Sequence, residues 1–135
     1  MTDIDDRGQA VRVLVIDDNA DTIDALAALL QVLGHQVRGA QRGRDALRMA
    51  HEFDPHLILV DIGLPDVSGY EVVGALRAAP EHCDRLIVAL TGYGQSKDIA
   101  RASAAGFSEH IIKPIDLATI QRLLETASGA LPSVN

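Results

Sequence analysis

The chain has 135 residues, a net charge of -7 and a single cysteine, Cys83. That length suits one domain able to bury a full core without staples. A lone thiol allows no internal disulfide and points to a reducing compartment. The acidic balance argues against nucleic-acid binding, which needs a basic face. No apolar run approaches membrane-spanning length, and the acidic N-terminus is not a signal sequence, so a cytoplasmic protein is expected.

Residues 1–10 read as a solvated leader, and Val11–Ile16 as a first strand ending in Asp17-Asp18-Asn19. Asn19 or Asp18 can cap a helix over about residues 20–33, which Gly34 stops. His35–Ala40 is a more polar strand, placed at a sheet edge, and residues 43–53 form a second helix with Ala46, Leu47 and Ala50 turned inward. Leu57-Ile58-Leu59-Val60 is a short unbroken apolar run that meets Asp61 and then a Gly/Pro/Asp/Ser/Gly loop, the pattern of a strand buried on both faces. A third helix spans about 69–79 and closes at Pro80. Leu86–Leu90 is a fourth strand ending in Thr91-Gly92, and a helix over about 96–105 stops at Gly106. His110–Ile112 is a short strand leading to Lys113-Pro114, Asp116 caps a last helix to about Thr126, and residues 128–135 form a frayed tail. Strand and helix thus alternate five times, which predicts an α/β fold: a doubly wound, five-stranded parallel sheet with right-handed crossovers.

In such a sheet every strand points the same way, and ligands lie beyond the carboxyl ends. Asp17 and Asp18, Asp61, Thr91 and Lys113 all fall there. Loop capping would account for any one of them, but not for three carboxylates, a hydroxyl and an ammonium converging on one edge. Clustered carboxylates repel unless a cation intervenes, and an all-oxygen site suits Mg²⁺. One carboxylate can then act as a nucleophile toward phosphorus. Lys113 would offset charge on the phosphoryl oxygens, and Thr91 would donate a hydrogen bond to the acyl phosphate.

Other motifs fail on inspection. Asp17, Asn19 and Asp21 match the first ligands of a calcium loop, yet Thr22 stands where glycine is required and Ala28 where a bidentate glutamate belongs. Gly92-Tyr93-Gly94 lacks the third glycine of a dinucleotide fingerprint, and the stretch to Lys97 lacks the spacing of a Walker loop. The histidines at 35, 51, 56, 82 and 110 are scattered without metal-ligand spacing and read as surface or edge residues. Cys83 has no ligand partner nearby and reads as an incidental thiol.

Asp17-Asp18, Asp61 before Ile62-Gly63-Leu64-Pro65 and Gly69, Thr91-Gly92 and Lys113-Pro114 stand in the order of a known family. Over about residues 11–127 the chain resembles the receiver domain of bacterial two-component response regulators. Gly92-Tyr93-Gly94-Gln95 and Gly106-Phe107 look most like receivers attached to hybrid histidine kinases. The resemblance implies a (βα)5 flavodoxin-like sheet of strand order 2-1-3-4-5. It also implies a phosphoacceptor rather than an enzyme with an external product, although such domains catalyse their own phosphorylation and dephosphorylation. Asp61 would accept the phosphoryl group. Asp18 and Asp61 would bind Mg²⁺ directly, Asp17 through a water, and the Gly63 carbonyl would complete the set. Lys113 would contact the phosphoryl group, and Thr91 would move toward it.

The implied donor is a histidine kinase or histidine phosphotransfer protein, with a downstream protein target and a monomeric or weakly dimeric state. Two alternatives stand beside this: a pseudo-receiver that binds without phosphorylation, and an aspartyl-phosphate hydrolase. The hydrolase usually wants a second Asp where Asn19 stands, and also a lid. Three finer expectations follow. The Lys113–Pro114 bond should be cis, aiming the lysine back at the site. On the first helix, Ala25, Leu26, Leu29 and Leu33 should cover the sheet, while Ile23, Ala27 and Leu30 form an exposed docking stripe with Pro114 nearby; one wide buried face is the alternative. His110 stands where the family usually carries Tyr or Phe, so the switch pairing it with Thr91 should be weakened or altered.

Overall fold

A computed structural model describes residues 10–92 and 103–129. In chain order it contains β1 (Arg12–Ile16), α1 (Ala20–Val32), β2 (Gln36–Ala40), a 3-10 turn (Gly43–Asp45), α2 (Ala46–Phe53), β3 (Leu57–Asp61), α3 (Gly69–Ala78), β4 (Leu86–Thr91), β5 (Glu109–Ile112) and α4 (Leu117–Gly129). The strands pair in parallel in the order β2-β1-β3-β4-β5, with the polar β2 at an edge as its composition requires. Most of the expected helix over 96–105 lies outside the described residues. Residues 103–105 are helical, and Gly106 follows at φ 119°.

Alternation along the strands divides the core into two layers. Leu14, Ile16, Ile58, Val60, Ile87 and Ala89 face α2, α3 and Phe107. Val13, Val15, Leu57, Leu59, Val88 and Leu90 face α1 and α4. The central strands are therefore buried on both sides, which is why they read as unbroken apolar runs. Each fully buried Leu or Ile stabilises the fold by about 1.5–3 kcal/mol.

Helix boundaries follow local chemistry. Asn19 caps α1, its Oδ1 accepting from the Asp21 N–H at 2.9 Å. Gly34, at φ 92°, closes that helix, with its own N–H on the Gln31 carbonyl and the His35 N–H on the Leu30 carbonyl. In α2 the inward face is Ala46, Met49, Ala50 and Phe53, whereas Leu47 is 43% exposed. At about 100° per residue Leu47 is rotated off that face, so its expected inward position is corrected. The last helix runs past Thr126 to Gly129, with Ala127 and Ser128 buried. The leader before residue 10 and the tail after 129 lie outside the described residues.

Candidate functional site

The parallel topology gathers the strand ends as expected. Asp61 is the last residue of β3 and follows Leu57 and Leu59 onto the face that carries α1. Asp17 directly follows β1 and is fully buried, while Asp18 beside it is exposed. Lys113, just after β5, reaches back across the edge: its Nζ lies 2.7 Å from Asp17 Oδ2 and 3.4 Å from Asp61 Oδ2. The Lys113–Pro114 peptide bond is cis. One oxygen from each of Asp17, Asp18 and Asp61 can be chosen so that all lie within 4.8 Å of one another. Three hard carboxylate donors so close together fit Mg²⁺. Asp17 already accepts from Lys113 and from the Asn19 N–H (2.9 Å), which suits an indirect role, whereas Asp18 faces solvent.

Electrostatics favour the neutral form of Asp61. Burial raises its pKa, and the nearby Asp17 charge adds to the rise; the Gly63 N–H on Oδ1 (2.9 Å) and the Lys113 ammonium oppose it without cancelling it. At Lys113, burial lowers the pKa, but the contacts with Asp17 and Asp61 outweigh it and the net shift is upward. The ammonium is therefore held charged beside a carboxyl that resists charging.

The loop after Asp61 is shaped by α3. Ser68 caps that helix through Oγ on the Glu71 N–H (3.3 Å). Gly69 opens it against the strand end, where a Cβ would come within 2.8 Å of the Asp61 carbonyl oxygen and the Ile62 Cα. Only glycine allows that approach, which explains the motif position in steric terms.

Thr91 ends β4 beside β3, is 1% exposed, and donates its hydroxyl to the Ile111 carbonyl at 3.4 Å. Its own carbonyl accepts from the Lys113 N–H at 2.8 Å, so the threonine also anchors the lysine's backbone. His110 is half-buried on β5, in register with Ala89, and therefore shares a sheet face with Thr91 two residues further along β4.

The docking stripe needs correction. Leu30 is fully buried and belongs to the core, Ile23 and Ala27 are half-buried, and Ile23 packs where a Cβ on Gly39 would lie 2.4 Å from its Cγ2. Ile23, Leu26, Leu29, Leu30 and Leu33 form one wide sheet-facing stripe, and Ala25, expected inward, is exposed. What stands open beside the site is a groove of about 450 Å³, lined by Asp21, Thr22 and Ala25 of α1 and by Lys113, Pro114 and Ile115. Sequence spacing missed it because two separate elements form its walls. Among the described residues no helix is long and apolar enough to cross a membrane.

Known proteins resemble this chain in sequence and fold. A family model for the response regulator receiver domain matches residues 13–125. The polar-differentiation response regulator DivK of Brucella ovis is 32% identical over 119 residues, covering 88% of this chain and 94% of DivK. The transcriptional regulatory protein KdpE of Mycobacterium tuberculosis is 39% identical over 108 residues, covering 78% of this chain but 45% of KdpE; the chain thus spans under half of that relative. The chemotaxis response regulator CheY4 of Vibrio cholerae superposes with a TM-score of 0.80 at 26% identity, over 88% of this chain and 99% of that one. The chain belongs to the response regulator receiver domain family.

Proposed function

We propose that this receiver domain takes a phosphoryl group from a histidine kinase or histidine phosphotransfer protein onto Asp61 and relays the change to a protein partner in a cytoplasmic setting. The observation that carries the reading is the Lys113 ammonium set between Asp17 and Asp61, with Asp18 exposed beside them. An Asp61 oxygen bonds to phosphorus as the P–N bond of a phosphohistidine breaks, and the imidazole leaves with the electron pair and takes a proton from solvent. Lys113 offsets charge on the transferred oxygens, and the Gly63 N–H keeps the other carboxylate oxygen oriented. Mg²⁺ held by Asp18, Asp61 and the Gly63 carbonyl, with Asp17 acting through water, would supply further neutralisation of that charge. Thr91 must release the Ile111 carbonyl before its hydroxyl can meet the acyl phosphate. His110, half-buried on the same face as Thr91, stands where the family usually carries Tyr or Phe, so the switch pairing it with Thr91 is weakened or altered.

The donor docks at the groove between α1 and Pro114, next to the acceptor. The chain is an acceptor rather than an enzyme with an external product. The test is incubation with Mg²⁺ and a small phosphodonor, followed by mass measurement. One phosphoryl adduct, absent in Asp61→Asn, supports the reading. Phosphate release without an adduct identifies a hydrolase, and inertness a pseudo-receiver.

A further inference from the structure

The loop that carries Gly63 is clamped at a second point, outside the acceptor site. Asp66 Oδ1 accepts from the Gly43 N–H at 2.9 Å, and Oδ2 from the Arg44 N–H at 3.0 Å. Those amides open the turn leading into α2, and that turn has no side-chain cap from its own N-cap residue, Arg42. Asp66 thus satisfies two N–H groups at a helix start from 23 and 22 residues away. The fit beside it is close. A Cβ on Gly43 would lie 2.5 Å from Val67 Cγ2 and 3.2 Å from Leu64 Cδ1, so only a glycine lets the loop seat on both sides of Asp66. Between this clamp and the β3 end lies Gly63, whose N–H orients Asp61 Oδ1.

We propose that Asp66 is a positioning residue for the acceptor: by holding the 62–68 loop on the Gly43 and Arg44 amides, it fixes Gly63 against Asp61. Asp66 touches no reacting atom. This inference rests on the phosphoacceptor reading for its consequence, but not for its geometry, and two measurements separate them. The first is hydrogen exchange at the Gly63 amide without donor or cation. Asp66→Ala should speed exchange there, and Asp66→Asn, which keeps one acceptor oxygen, should restore part of the protection. Unchanged protection in Asp66→Ala overturns the clamp. The second is the rate of adduct formation from a small phosphodonor with Mg²⁺, at a temperature where all variants are folded. Asp66→Ala should lower the maximal rate about tenfold with little change in the half-saturating donor concentration, and Asp66→Asn by less. A merely structural role would lower thermal stability and leave that maximal rate intact, which also overturns the proposal. Should the unaltered chain form no adduct, the phosphoacceptor reading falls, and the Gly63 amide alone decides the clamp.

Discussion

Ionising Asp61 means placing a second negative charge beside a fully buried Asp17 in a site where burial has stripped water from the carboxylate. Lys113 offsets part of that cost, and the Gly63 N–H another part. Because the environment favours the neutral carboxyl, Asp61→Asn should raise the thermal midpoint at neutral pH while abolishing adduct formation; a lower midpoint would mean that the Lys113 contact dominates. Adding Mg²⁺ should narrow the gap between the two proteins, as cation binding stabilises the form that ionises. Lys113→Ala leaves Asp17 buried without its cation. Breaking such a pair costs about 1–3 kcal/mol when one partner is partly exposed, as Lys113 is here. Urea unfolding at low ionic strength should read that loss. Titration should still show Mg²⁺ binding, and the conformational response to phosphorylation should be weak.

Among the elements, α1 carries the sharpest contrast between appearance and role. Its apolar residues read as two stripes in sequence, one for the sheet and one for a partner. Side chains three and four apart share a face, so Ile23, Leu26, Leu29, Leu30 and Leu33 merge into one stripe packed against the sheet. Hydropathy alone does not separate a wide buried face from a narrow one plus a docking patch; that depends on how far the neighbouring α4 leaves the helix uncovered. Leu30→Lys should therefore fail to fold at all, costing several kcal/mol by burying a charge in a packed layer. Ala25→Lys, at the exposed rim of the groove, should fold normally and slow transfer from the cognate phosphodonor protein while leaving the reaction with a small phosphodonor unchanged. Equal transfer rates in the Ala25 variant would remove the groove as the docking site. Gly69 belongs at this scale too. Gly69→Ala should push the start of α3 off the β3 end, by a contact of 2.8 Å that backbone atoms cannot yield cheaply, and should lower the unfolding midpoint.

At the scale of the whole molecule, the strand-end residues were legible because a parallel sheet sends every carboxyl terminus to one edge; order in sequence was then enough to bring Asp17, Asp61 and Lys113 together. Asp66 was not legible, since an aspartate after proline in a loop looks like a local turn former and nothing in the spacing points to amides more than twenty residues away. Two of the five histidines, His56 and His82, depart from the surface-or-edge expectation for a related reason, whereas His51 is exposed as expected. His56 looks like an edge residue, yet it is 8% exposed and its Nδ1 accepts from the Arg12 N–H at 3.0 Å. His82 is 1% exposed, and among the described residues neither of its ring nitrogens has a hydrogen-bond partner. Both lie outside the strand-edge site, and both have a pKa lowered from the ordinary histidine value. Burial is the main cause at each; at His56 the Arg12 and Arg85 charges add to it and Asp54 opposes it, and the pKa falls from 6.5 to about 4. Between those values the unfolded chain binds the proton that the folded chain refuses, so stability rises with pH. The contribution is complete above pH 6.5 and is lost as the pH falls toward 4. For His56 alone the full span is about 3 kcal/mol, at 1.36 kcal/mol per unit. Urea unfolding between pH 7.5 and 4.5 should show this slope superimposed on that of the carboxylates. His56→Asn isolates it, because a side-chain amide oxygen takes the place of Nδ1 as acceptor for the Arg12 N–H and does not titrate. That variant should be distinctly less sensitive to acid than the unaltered chain. Identical pH profiles in the two proteins would mean that His56 protonates as readily folded as unfolded, and that its burial carries no electrostatic cost.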